Sequence, residues 1–210
     1  ATDAAGNAST QTVTITVTNV NEAPTDIALS ATSVAENVAA NSTIGSLSTT
    51  DVDAGDTFTY TLVSGTGDTD NAAFTITGAA LTINSIPNFE AKSSYTLRIN
   101  TTDQGGLSFE KAFTISVTNV NEAPTDIALS SSNVAENAAT GTAVGALSAT
   151  DVDAGDTHTY TLVSGSGDTD NASFTIDGNT LKTSSVFNYE AYSNTYSIRV
   201  RVTDAGGLTF

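Results

Sequence analysis

Cysteine, methionine and tryptophan are absent from this chain, and only 6 of its 210 residues are Lys or Arg. Without cysteine, neither a disulfide nor a thiolate-bound metal can hold the fold together. That absence fits an exported bacterial protein. The few basic residues stand against 23 Asp and Glu, leaving a formal charge of -17. Such a charge repels phosphate backbones and anionic head groups and attracts cations, so no nucleic-acid partner is expected. No run approaches the roughly eighteen consecutive apolar residues of a membrane span, and no basic stretch leads into an apolar one at the N-terminus. No membrane insertion is expected either. What the chain does have is an apolar share of 39%, enough for a core, and a length suited to one large domain or two ordinary ones. It opens Ala-Thr-Asp, which reads as an internal stretch of a longer protein.

The organising feature is a repeat, which takes precedence over any residue-level pattern. At an offset of 100, residues 17–30 match 117–130, residues 50–57 match 150–157, and residues 59–65 match 159–165 without a change. One residue is inserted after Glu190, so that Tyr95 corresponds to Tyr196 and Asp103 to Asp204. The units are residues 24–123 and 124–210. They follow residues 1–23, which read as the last strand and linker of a preceding unit. The second unit reaches Phe210, the counterpart of Phe109, and lacks a counterpart of the last strand.

Within a unit the apolar residues alternate, as in Phe58-Tyr60-Leu62, Tyr95-Leu97-Ile99 and Phe113-Ile115-Val117. Period two with β-branched residues means half-buried strands, and turn signals such as Asp53-Ala54-Gly55-Asp56 interrupt them about every ten residues. Seven strands are expected in the first unit, at 25–36, 42–50, 57–64, 73–77, 80–84, 94–102 and 107–119. Helical periodicity is absent apart from a single turn that 88–94 could form. Seven short strands in about 100 residues read as an all-β, immunoglobulin-like Greek-key sandwich, here in tandem.

Five separated motifs then resemble those of bacterial cadherin-like repeats. Val34-Ala35-Glu36-Asn37 and its copy at 134–137 are similar to the family's x-Glu-x motif. Pro87-Asn88-Phe89-Glu90 departs from the family's Leu-Asp-Tyr-Glu, and Phe187-Asn188-Tyr189-Glu190 is closer to it. Asp151 and Asp153 stand as the Asp-x-Asp pair, Asp204 as a further carboxylate, and 119–124, Asn-Val-Asn-Glu-Ala-Pro, as the calcium-binding linker between domains. The resemblance implies tandem cadherin-like sandwiches with calcium at the junction. Its ligands would be Glu36, Asn88 and Glu90 from the first unit, Asn119, Val120, Asn121 and Glu122 from the linker, and Asp151, Asp153 and Asp204 from the second. One repeat earlier the corresponding residues are Asn19, Asn21, Glu22, Asp51, Asp53 and Asp103. The linker differs from the family in carrying Asn119 and Glu122 where Asp is usual. The chemistry agrees: calcium takes six to eight hard oxygen ligands and needs no nitrogen or sulfur, and the six carboxylates of the junction balance three calcium ions.

Other features read more plainly. A lone Asp-x-Asp is ordinarily a turn; its weight comes from joint occurrence, in order, twice. Gly-Asp-Thr-Asp-Asn-Ala at 67–72 and 167–172 lacks the later Glu of an EF-hand and reads as a loop. His158, the only histidine, stands where the first unit has Phe58, and so reads as space-filling. Tyr60, Tyr95, Tyr160 and Tyr196 read as strand packing.

The function this implies is a calcium-rigidified spacer or polymer unit of an extracellular bacterial adhesin or filament, located at the cell surface. Its partners would be calcium, neighbouring repeats and copies of itself through head-to-tail contact. Residues 12–18 of one copy are expected to complete the sheet beside residues 196–203 of another. The competing class is a carbohydrate- or partner-binding module attached to a secreted enzyme, against which the lack of Trp counts. An enzyme is not expected, since no nucleophile and base pair is visible.

Overall fold

The computed structural model describes residues 1–8, 10–190 and 194–210. The chain divides into two compact units. The first comprises Ala1–Pro87 with Lys92–Thr118, and the second Asn88–Ala91 with Asn119–Phe210.

The first unit is a sandwich of two four-stranded sheets. One holds, in spatial order, β1 (Asp26–Leu29), β3 (Ser42–Thr50), β6 (Ala80–Ile83) and β5 (Phe74–Thr77). The other holds β2 (Ser33–Ala35), β8 (Ser108–Thr118), β7 (Ser94–Thr102) and β4 (Thr59–Leu62). The alternation read from the sequence sets which face is buried. Leu97 and Ile99 of β7 and Ile115 of β8 are each 0% exposed, with Thr, Arg and Asn between them on the other face. Ile27, Leu47, Phe74, Leu81 and Ile83 close on them from the opposite sheet. Burying each such side chain stabilises the fold by about 2 kcal/mol. Tyr95 packs edge-on against Phe74, ring centres 5.6 Å apart.

The expected single strand at 25–36 is two strands in different sheets. Ile27 and Leu29 feed the sheet of β3, whereas Val34 crosses to the other and pairs in parallel with Val117. The crossing is fixed at Ser30, whose N–H donates to the Ser46 carbonyl and whose hydroxyl accepts from the Ser46 N–H at 2.9 Å.

The acidic loops are spent on the backbone. Asp70 accepts from the Thr96 N–H at 2.8 Å, and Asn71 accepts from the Arg98 N–H and donates to the Val63 carbonyl, both at 2.9 Å. Asp170 and Asn171 repeat these contacts with Ser197, Arg199 and Val163. Asp70 and Asp170 lead into 3-10 turns at Asn71–Ala73 and Asn171–Ser173. Among the described residues no helix is long and apolar enough to cross a membrane.

In the second unit, β9 (Asp126–Leu129), β10 (Ala143–Thr150), β13 (Thr180–Thr183) and β12 (Phe174–Asp177) rebuild the first sheet in the same order. The second sheet is reduced to β11 (Thr159–Leu162) and β14 (Val200–Thr203). Residues 133–135, the counterpart of β2, form no strand, because β2 pairs only with β8 and residues 1–210 hold no copy of β8 for the second unit. The residue inserted after Glu190 falls beside residues 191–193, which lie outside the described residues.

Candidate metal centre

Each unit carries at one end a carboxylate cluster built from three pieces: the linker before its first strand, the turn after its long second-position strand, and the residue ending the β7-type strand. In the second unit the turn after β10 supplies Asp151, Asp153 and Asp156. Asp153 receives the linker: Asn119 Nδ2 donates to its Oδ1 at 2.8 Å and the Glu122 N–H to its Oδ2 at 2.7 Å. Asp204 follows β14 and accepts Asn121 Nδ2 at 2.9 Å through Oδ2 and the Leu208 N–H at 2.7 Å through Oδ1. Asp151 Oδ1 accepts the Asp153 N–H at 3.1 Å. Asp153 and Asp204 are buried, 9% and 6% exposed.

The first unit repeats the arrangement one linker earlier. Asn19 and the Glu22 N–H donate to Asp53 at 2.6 and 2.8 Å, and Asn21 donates to Asp103 at 3.0 Å. Asp51, Asp56 and Asp103 each present an oxygen, all within 4.8 Å of one another.

A glycine permits the linker to reach the strand end. A Cβ at Gly105 would lie 2.5 Å from Asn21 Cγ, and one at Gly206 2.5 Å from Asn121 Cγ. The following residues, Gly106 and Gly207, both at φ +89°, turn the chain back. Asn21 and Asn121 thus lie directly on backbone. Gly206→Ala should therefore push Asn121 off Asp204 and lower calcium affinity about tenfold with the sandwich intact. Calorimetric titration beside a circular-dichroism melt checks this, and unchanged affinity would show that Asn121 is not needed to hold the site.

Electrostatics distinguish the two ends. In the first unit, burial pushes the Asp56 carboxyl above its ordinary range, and the carboxylates of Asp53, Asp51 and Asp103 push it further. Burial, and then Asp53, raise Glu22 in the same direction. Asp53 is held low, chiefly by the Glu22 N–H and then by Asn19. In the second unit His158 Nε2 lies 3.0 Å from Asp151 Oδ2, and this hydrogen bond, followed by that from the Asp153 N–H, lowers the Asp151 carboxyl. His158 therefore does more than fill the space of Phe58. Asp151, Asp156 and His158 present ligand-type atoms within 4.8 Å of one another.

The donor set fits a hard divalent cation. Asp51 Oδ2, Asp56 Oδ2 and Asp156 Oδ2 are buried and have no hydrogen-bond partner. A buried ionised oxygen with nothing to accept from is costly, and calcium, which takes oxygen ligands in irregular geometry, satisfies it. Asp56 and Asp156 were not among the expected ligands. They close the Asp-x-Asp-x-x-Asp turn, and the signal that could have found them is this third carboxylate three residues after the second. Asp56→Asn removes the repulsion while keeping the shape. It should raise the melting temperature of the calcium-free protein and weaken calcium binding, and a fall in the calcium-free melting temperature would show that the Asp56 charge is stabilising.

The remaining expected ligands are placed as follows. Glu36 follows β2, is 2% exposed, and donates its N–H to the Thr118 carbonyl at 3.0 Å. Its counterpart Glu136 accepts the Tyr189 N–H at 3.2 Å, so the second unit brings its Val-Ala-Glu-Asn and Phe-Asn-Tyr-Glu motifs together. Asn88 Oδ1 accepts the Ala91 N–H at 2.6 Å. Glu90 is exposed and belongs with Asn88 to the second compact unit, while Glu36 belongs to the first. Val120 turns its side chain outward, 42% exposed.

A family model described as the cadherin domain matches residues 130–209. Among solved structures, human protocadherin-24 EC1-2 is similar with a TM-score of 0.68 and 20% identity over 90% of this chain and 90% of that one. Protocadherin gamma B7 domains 1-4 align with a TM-score of 0.58 and 21% identity, covering 90% of this chain and 49% of theirs. The protocadherin gamma B4 extracellular domain aligns with a TM-score of 0.61 and 22% identity, covering 91% and 33%. This chain thus spans half or less of the length of the latter two. No curated protein sequence matches the chain. These likenesses show the cadherin-type β-sandwich as the fold, and the cadherin-domain model matches within the second unit.

Proposed function

We propose that this chain is a calcium-stiffened repeat of an extracellular bacterial surface protein, an adhesin or filament, in which it acts as spacer or polymer unit. The observation that carries the reading is the set of buried carboxylate oxygens without partners at Asp51, Asp56 and Asp156, beside linkers already tied to Asp53 and Asp153. Glu36, Asn88 and Glu90 would join Asn119, Val120, Asn121, Glu122, Asp151, Asp153 and Asp204 in holding the ions. Asn19, Asn21, Glu22, Asp51, Asp53 and Asp103 would do the same one linker earlier. Without calcium, carboxylates about 5 Å apart repel by roughly 1 kcal/mol per pair in water, which drives the linker away from its turn. With calcium the repulsion becomes attraction, and several sites acting together make a steep switch. The close likeness of the two units, which share several unchanged stretches, suits a uniform mechanical role, in which each repeat does the same work.

Small-angle scattering with calcium and with chelator tests the reading. A narrower distribution of shapes with calcium is expected. An unchanged profile together with a calorimetric titration showing no binding would overturn it.

A further inference from the structure

Residues 50–65 and 150–165 differ at a single position, Phe58 in the first unit and His158 in the second. The difference falls at the carboxylate turn. In both units this residue follows the third Asp of the turn by two places and leads directly into the next strand, β4 or β11. A phenyl ring offers the turn no ligand atom. His158 offers the only imidazole of the chain, and its side chain is 16% exposed against 4% for that of Asp151, beside which it lies.

Three residues meet there, each presenting a ligand atom within 4.8 Å of the other two: Asp151, Asp156 and His158. His158 Nε2 is 3.0 Å from Asp151 Oδ2, and Asp156 Oδ2 is buried with no hydrogen-bond partner, a state that a bound cation relieves. The remaining carboxylate oxygens are in use. Asp151 Oδ1 accepts the Asp153 N–H at 3.1 Å and Asp156 Oδ1 the Thr157 N–H at 2.8 Å, and neither bond has to break for an ion to enter. Two ligand atoms about 2.1 Å from one zinc ion stand about 3.0 to 3.4 Å apart, for angles between a right angle and tetrahedral. The His158–Asp151 pair already has that separation. With its proton on Nδ1, the imidazole turns the Nε2 lone pair towards the ion.

The corresponding trio of the first unit is Asp51, Asp56 and Asp103, oxygen throughout, which suits calcium. Imidazole is a preferred ligand of zinc, cobalt and nickel. We propose that Asp151, Asp156 and His158 form a site for zinc or a similar borderline divalent cation, so that the two turns differ in metal preference through one side chain. Three protein ligands leave the fourth position of a tetrahedral zinc to water. The inference rests on the proposed reading of the turns as cation sites and names the ion that His158 selects at the second of them.

The two units supply the controls, since His158→Phe and Phe58→His each install the residue that the other unit carries. The chain, free of any added histidine, is titrated with zinc by calorimetry and with cobalt by visible absorption, and the ring signals of its one histidine are followed by NMR. Zinc should shift those signals, and cobalt should give the d–d bands of a low-symmetry site with a nitrogen ligand. His158→Phe should abolish the bands and lower zinc affinity by at least about tenfold, the lower bound for losing even an outer-shell partner of a metal. Phe58→His should add a second zinc, because Asp51 Oδ2 and Asp56 Oδ2 are likewise buried without partners. No zinc binding, equal zinc affinity in the unmodified chain and His158→Phe, unmoved histidine signals, or no second zinc in Phe58→His would each overturn the proposal. Calcium is titrated separately into the same metal-free chains. Zinc held by His158 in a chain that takes no calcium would end the calcium reading alone, and calcium binding without zinc would end this inference alone.

Discussion

Calcium is expected to raise the melting temperature of the chelated protein by roughly 6 to 11 °C for each site filled at about ten times its Kd. The estimate joins a binding stabilisation of about 1.4 kcal/mol at that excess to the roughly 4 to 8 °C per kcal/mol typical of a domain of 60 to 100 residues. The physical source is relief at Asp51, Asp56 and Asp156, whose partnerless buried oxygens cost the calcium-free fold and cost the unfolded chain nothing. Magnesium should do much less, because it demands near-ideal octahedral geometry and gives up its water reluctantly. Asp153→Ala should remove about half the shift. It releases both Asn119 and the Glu122 N–H, leaving the linker of the second unit untethered while that of the first keeps Asp53. Scanning calorimetry in calcium, magnesium and chelator decides the matter. Equal shifts with both metals would mean non-specific screening of a chain of charge -17, and no shift would remove the calcium reading.

Much of this was legible in the sequence, and the failures have local causes. Period-two alternation located the strands because each sheet buries one face, so Leu97 and Ile99 had to point inward together. The break at Ser30 was not legible. Ile27, Leu29 and Val34 are all apolar, and only the pairing of Val34 with Val117, 83 residues away, shows that the chain has changed sheets. The linker asparagines could be read from their motif, and the structure ties Asn19 to Asp53 and Asn121 to Asp204. Asp56 escaped notice because an Asp closing a turn is usually a solvated turn residue. Only the fold shows that its carboxylate meets those of Asp51 and Asp103, the latter arriving from the far end of β7. His158 was read through its counterpart Phe58, but substitution by an apolar residue says only that the space is tolerant. It does not say what the imidazole does once Asp151 is 3.0 Å away.

The same residue place in two neighbouring sandwiches offers the sharpest test of what β8 contributes. Leu97→Ala in the first unit should cost about 2 to 5 kcal/mol, the range for truncating a fully buried aliphatic side chain whose surroundings cannot collapse. Leu97 is 0% exposed and Phe113 of β8 lies directly across from it. Ile198 occupies the corresponding place in the second unit and is only half-buried. Its neighbours on the open side are solvent, so the space left by Ile198→Ala is wet and less transfer energy is lost. The expected cost is about half that of Leu97→Ala or less, by the same scaling of cost with cavity. Amide hydrogen exchange reads each unit separately, following Leu47 and Leu81 for the first and Leu147 and Leu181 for the second. Equal costs would mean that Ile198 is as well covered in solution as Leu97.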